Sequence, residues 1–173
     1  RKTSVKLADF VGQIMTVHVQ QDSAGDNGRM FTGTCISVEA MGMRDGDDHY
    51  VAQIRPWFWM LTIERNTRVF QEMSVKEIIE DVLGKHGFSD YQIKTSETYE
   101  KRDYCVQHRE TDFAFLSRLM EEEGMYYFFD HSDANMKNEK LVICDGVSAH
   151  KAIDDDVELK FKPRDGADTK TQP

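Results

Sequence analysis

Proline and cysteine are both scarce, with three of each in 173 residues. Cys35, Cys105 and Cys144 lie far apart and form no C-x-x-C pair, which excludes the sequence pattern of a disulfide framework or a zinc knuckle. They read as buried, reduced thiols that pack as small hydrophobes in a chain folded in the cytosol. Basic residues are also in deficit: 22 Lys and Arg stand against 31 Asp and Glu, for a formal charge of −9. A general nucleic-acid binder needs surplus cations to neutralise phosphates, so no nucleic-acid partner is expected. Apolar runs are short, and Trp57–Leu61 falls far below the length of a membrane span. Residues 1–12 lack the apolar core and small-residue cleavage site of a signal peptide. The six histidines give no H-E-x-x-H and no i, i+4 pair, and the glycines give no G-x-G-x-x-G, phosphate loop or G-x-S-x-G.

What is present is enough to build a core: 39% of the residues are hydrophobic and 31% charged. The chain is organised around Asp103–Phe129, which reads as strand, helix, strand. Tyr104, Cys105 and Val106 open it. Thr111 is placed as an N-cap, with Glu110 and Asp112 at the end of the helix where the dipole favours negative charge. Phe113, Leu116 and Met120, widened by Phe115 and Leu119, form an apolar stripe, and Gly124 supplies the left-handed residue that ends the helix. Met125–Phe129 is a short aromatic run rich in β formers.

Before this unit, Met15, Val17 and Val19 alternate with polar residues as a strand. Phe31–Ala40 makes a second strand, with Gly33 marking a bulge or bend, and Tyr50–Arg55 a third, in an antiparallel meander. Loops are expected at 22–28 and 41–49. Pro56 cannot donate to a ladder and is expected at a strand end or edge, and Trp57 and Trp59 share one face if the segment after it is extended. Ser74 and Glu77 form a capping box for a first helix whose apolar residues include Val75, Ile78, Ile79, Val82 and Leu83, closed by Gly87. A short strand is expected at Tyr91–Lys94, a polar loop at Asp130–Glu139, a buried strand at Leu141–Cys144, and an alternating strand at Val157–Phe161. Arg164–Pro173 reads as a linker or tail.

Candidate chemistry is thin. Cys105 and His108 invite a Cys–His nucleophile, but three residues apart on a strand they point to opposite faces. Glu110 and Asp112, with Glu121, Glu122 and Glu123, invite paired carboxylates. The first two suit the helix N-terminus, and the triplet fans out by roughly 100° per residue. A salt bridge from Arg118 to Glu121 or Glu122 is the expected use of that triplet. Asp154, Asp155 and Asp156 are consecutive and lack the alternation of a calcium loop. No titratable groups converge, so no catalytic, cofactor-binding or metal-binding residues are assigned. Trp57, Phe58 and Trp59 suit core packing better than an exposed partner patch.

The residues then bring a resemblance. Arg55-Pro56-Trp57-x-Trp59-x-Leu61, Arg68-Val69-Phe70-Gln71-x-x-Ser74-Val75 and Tyr104-Cys105-Val106-Gln107-x-Arg109-Glu110-Thr111-Asp112-Phe113 resemble the N-terminal region of VgrG. VgrG is the family of type VI secretion spikes related to Rhs elements and to contractile-phage baseplate hubs. The likeness continues through Ser117–Gly124 and Tyr126–Phe129 and covers about Val11–Phe161. It implies an α+β, mainly β fold: a partial antiparallel β-barrel of phage-tail-hub type with an inserted α+β domain carrying two helices. Residues 1–72 would form the first part of the barrel, 73–145 the inserted domain, 146–163 a strand returning to the barrel, and 164–173 a linker. Set against the family's length, the chain is expected to be a fragment lacking opening strands, a second barrel and a needle.

The resemblance further implies a non-enzymatic, structural role in a homotrimer that adapts the hexameric Hcp tube to a three-fold needle. Baseplate proteins would be neighbours, and a PAAR tip and effectors would attach through regions beyond this chain. The protein would be made in the bacterial cytoplasm and exported by type VI secretion. Loops 22–30 and 41–49, with polar strand faces, are the expected contact regions. An autonomous adaptor docking through the Trp57 block, and a hydrolase using Cys105 or a carboxylate pair, are the competing readings.

Overall fold

The computed structural model describes residues 6–19, 28–131 and 139–150. The expected strand at Val157–Phe161, the Asp154–Asp156 run, the C-terminal tail and most of the loops at 22–28 and 130–139 lie outside these residues. The described residues form a mixed α+β structure made mainly of strands: three small sheets and two α-helices.

The first sheet is the expected meander, β1 (Ile14–Val19), β2 (Arg29–Arg44) and β3 (Asp47–Arg55), all antiparallel. Strand β2 is longer than the sequence pattern suggested, because the expected loop at 41–49 is strand almost throughout. Only Asp45 and Gly46 turn, with φ of 54° and 92°. Two successive positive φ values make the mirror-image turn whose twist matches a β ribbon. Gly33 is not at a bulge. The register slips at Ile36 and Met41 instead. Gly33 is required by a close approach: a Cβ there would sit 2.7 Å from the carbonyl oxygen of Arg55.

The segment after Pro56 is not extended. Trp57–Thr62 is a 3₁₀ helix whose N-cap is Pro56, and its buried residues Trp57, Phe58 and Leu61 lie at helical spacing. Pro56 has no N–H to give a ladder, so its φ of −57° leads into a helical turn rather than a strand. Trp57 and Trp59 therefore do not share a face: Trp57 is buried and Trp59 half-buried.

Strand β4 (Arg65–Phe70) pairs antiparallel with β6 (Cys105–Thr111) in a second, two-stranded sheet. Helix α1 (Val75–Lys85) lies between them in sequence, and its capping box is formed: Ser74 N donates to Glu77 Oε2 at 2.7 Å, and Glu77 N donates to Ser74 Oγ at 3.4 Å. Helix α2 (Asp112–Glu122) is capped by Thr111 Oγ1, which accepts from Ala114 N at 3.1 Å. Both helices end in the same way. A glycine with positive φ, Gly87 or Gly124, follows the cap, and the next amide returns to the last turn: Phe88 N to Leu83 O at 3.1 Å, and Met125 N to Met120 O at 2.7 Å. This satisfies carbonyls that the helix leaves open.

The third sheet places β8 (Lys140–Cys144) between β5 (Tyr91–Lys94), parallel to it, and β7 (Tyr126–Asp130), antiparallel to it. Ile78, Ile79, Val82 and Leu83 of α1, Phe115, Leu116 and Leu119 of α2, and Leu141 and Ile143 of β8 bury completely in one cluster with Phe58 and Leu61. Phe58 sits at its centre, 5.3 Å from the Phe113 ring and 5.1 Å from the Tyr127 ring, both edge-on. Cys35, Cys105 and Cys144 are free and buried.

Candidate functional site

Two features stand out, one inside and one outside. The inner one is a carboxylate cluster that the sequence reading missed. Asp112 is the first residue of α2 and is 1% exposed. Its Oδ1 accepts from Gln107 Nε2 at 2.7 Å, from Asn66 Nδ2 at 3.1 Å and from Arg68, while Oδ2 faces His86 Nε2 at 2.6 Å. An ionised carboxylate only accepts, so the imidazole carries its proton on Nε2. Gln107, fully buried, also accepts from Arg68 Nε at 3.0 Å and donates to the Glu110 carbonyl at 3.1 Å. Burial on its own would raise the Asp112 pKa. The bonds from Arg68, Gln107, His86 and Asn66 outweigh it and hold the carboxyl well below the usual carboxylate range.

This arrangement ties three elements, β4, β6 and the end of α1, to the start of α2. It does not make a reaction site. Three of its four hydrogen bonds fall on Oδ1 and one on Oδ2, and the carboxylate is buried, so it is closed to a substrate. The helix dipole accounts for an acidic residue at this position and the sequence pattern shows no convergence of titratable groups, but the fold brings Asp112, Arg68 and His86 together.

Of the other singled-out carboxylates, Glu110, Glu122 and Glu123 are paired at the surface. Arg118 bridges Glu110 at 2.8 Å and Glu122 at 3.1 Å, the second of these at the expected i, i+4 spacing. Arg102 holds Glu122 at 2.8 Å and Glu123 at 2.6 Å. Asp145 gathers the main-chain N–H groups of Glu97 and Ser96 and the Tyr99 hydroxyl, each at 2.9 Å. Those two amides bring its carboxyl down to about 2. Cys105 and Gln107 face inward on β6 while His108 is exposed, so Cys105 and His108 are kept apart as alternation required. Among the described residues, no group of three or more His, Cys, Asp and Glu could hold a metal ion, and no helix is long and apolar enough to cross a membrane.

The outer feature is the far half of the first sheet. Strand β1 pairs only with residues 29–34 of β2, so beyond that point β2 and β3 continue as a two-stranded ribbon. Every residue from 39 to 53 is exposed. Met41 and Met43 are 63% and 61% exposed, and Tyr50 and Val51 are 44% and 49% exposed. Alternation puts Val17, Phe31, Ile54, Ala52 and Tyr50 on one face, because Val17 opposes Phe31 and Cys35 opposes Ile54. A two-stranded ribbon is at best marginal in water unless it packs on something. This one carries exposed apolar side chains along residues 39–53, while nearer the base His131 lies 5.6 Å from the Phe31 ring.

The fold has a solved counterpart. It matches a solved component of the E. coli type VI secretion system, described as structurally similar to the T4 bacteriophage tail proteins gp27 and gp5. That match has a TM-score of 0.76 at 22% identity, over 86% of this chain and 40% of that one. The profile of the phage tail baseplate hub (GPD) family matches residues 1–172, and the chain belongs to that family. Its curated relatives include two type VI secretion spike proteins of Pseudomonas aeruginosa. VgrG1a is 39% identical over 152 residues, and VgrG1c is 46% identical over 101. These cover 86% and 58% of this chain but only 22% and 14% of the relatives, so the chain spans about a fifth of the length of VgrG1a. The expected resemblance is therefore established, and it groups the chain with hub and spike proteins.

Proposed function

We propose that this chain is the hub region of a trimeric type VI secretion spike, and that it joins the hexameric Hcp tube to a three-fold needle. The observation that carries this reading is the exposed ribbon at 39–53 on a member of the hub family. The first sheet, ribbon included, then belongs to a β-barrel wall, and the two helices with the second and third sheets form the lobe attached to it. A protomer with two similar barrels reconciles the symmetries, because three copies present six alike surfaces in a closed ring. Barrel closure also removes the free edges that a ribbon otherwise offers for mispairing.

The work is mechanical: the hub stays folded and joined while the spike is driven through a target envelope and exported with it. Other copies of the protein, the Hcp tube and baseplate proteins are the direct partners, and a PAAR tip and effectors attach further along the spike. Docking through the Trp57 block is disfavoured, since Trp57 and Phe58 are 5% and 1% exposed. The test is sedimentation of the protein extended through its needle. Trimers support the proposal, and a strictly monomeric extended protein contradicts it.

A further inference from the structure

Glu139, the last residue of the expected polar loop at 130–139, is buried. It stands immediately before β8 and is 1% exposed. It grips Trp57 twice: Oε1 accepts from the Trp57 main-chain N at 2.5 Å, and its carbonyl accepts from the indole Nε1 at 3.1 Å. Trp57 in turn lies 4.4 Å from the Phe88 ring, which follows the end of α1. So Glu139 closes a contact between the start of the central strand and the turn that leaves the first sheet. Its second carboxylate oxygen, Oε2, is buried with no hydrogen-bond partner. No ion pair involves Glu139 among the described residues.

A buried carboxylate with one oxygen unpartnered and no cation beside it is costly as an anion and far cheaper as a neutral acid. We propose that Glu139 is a proton-controlled clasp: neutral, it sits in the core between Trp57 and the start of β8 at little cost; ionised, its uncompensated buried charge loosens that junction. The groups around it agree. Burial is the largest influence and pushes its pKa up. Its own main-chain N–H and that of Trp57 work against this, and Asp90, from the connection between α1 and β5, pushes the same way as burial. Lys140, next in sequence, is exposed, and the 3₁₀ helix at Trp57–Thr62 carries no charged side chain.

The sign follows from linkage. A carboxyl raised in the folded state contributes stability that is complete below its ordinary value of 4.5 and is lost as pH rises through the folded value. Glu139→Gln keeps an oxygen for Trp57 N and cannot ionise. The test compares urea unfolding of the chain and of E139Q across pH 5 to 8. The ratio of the variant's folding constant to the wild type's should climb by up to about tenfold per pH unit within that window and then level off. A ratio that stays constant with pH overturns the proposal. A second readout needs no Glu139 variant. In the ¹H–¹⁵N spectrum of the Trp59→Phe chain, the lone indole peak, from Trp57, should move with a titration above the ordinary carboxylate range. A stationary peak across that range also overturns it.

Discussion

Replacing Asp112 with asparagine tests whether the inner cluster holds the lobe together. The substitution is nearly isosteric but removes the charge and turns one acceptor oxygen into a donor. The new amide would then present N–H groups toward His86 or toward Arg68 and Gln107, which are themselves donors here. Removing one partner of a buried, hydrogen-bonded ion pair typically costs ~3–5 kcal/mol. Arg68 and His86 side chains are 20% and 26% exposed, so water can recover part of the loss. That places D112N near the lower end, about 3 kcal/mol. With a urea dependence of about 2 kcal/mol per molar, the midpoint should fall by roughly 1.5 M. Fluorescence of Trp57 and Trp59 reports the transition. The pH dependence adds a signature. The Asp112 pKa is depressed from 3.8, so its stabilisation is present above that value and is lost as pH falls through the folded value. The gap between wild type and D112N should therefore narrow in acid. A midpoint shift worth under about 1 kcal/mol at neutral pH, the size of an ordinary surface effect, would refute the reasoning.

Two further substitutions follow from the same geometry. Gly124→Ala places a side chain at φ 70° with nothing within 4 Å of the new Cβ, so it should lose about 1–2 kcal/mol from backbone strain alone, read as a lower urea midpoint. Cys105→Ala should cost about 1 kcal/mol of stability and leave secretion by the intact spike unchanged; loss of secretion with normal folding would revive a nucleophile at that position.

The parts legible in the sequence are those specified by neighbours in the chain. Ser74 with Glu77, Thr111, Gly87 and Gly124 bounded both helices because caps are local devices. Strands β5 and β8 were equally plain. The Trp57 segment was misjudged because an aromatic run after proline suits a strand end as well as a helical turn. Packing around Phe58 decided the matter. The Asp112 cluster was hidden because its partners come from residues 66, 68, 86 and 107, and the helix dipole offered a sufficient local reason for the carboxylate. One signal was available: Gln107 alternates with Cys105 on the buried face, and a buried amide demands partners. Glu139 was overlooked for a similar reason, as a polar residue at a loop end.

If the ribbon at 39–53 is an assembly surface, hydrogen exchange will show it most directly. In the isolated chain, the ribbon amides should exchange far faster than those of β8, which is buried and paired on both sides. In the protein extended through its needle, the ribbon should become strongly protected while β8 changes little. Ribbon amides that exchange equally fast in both would contradict the account.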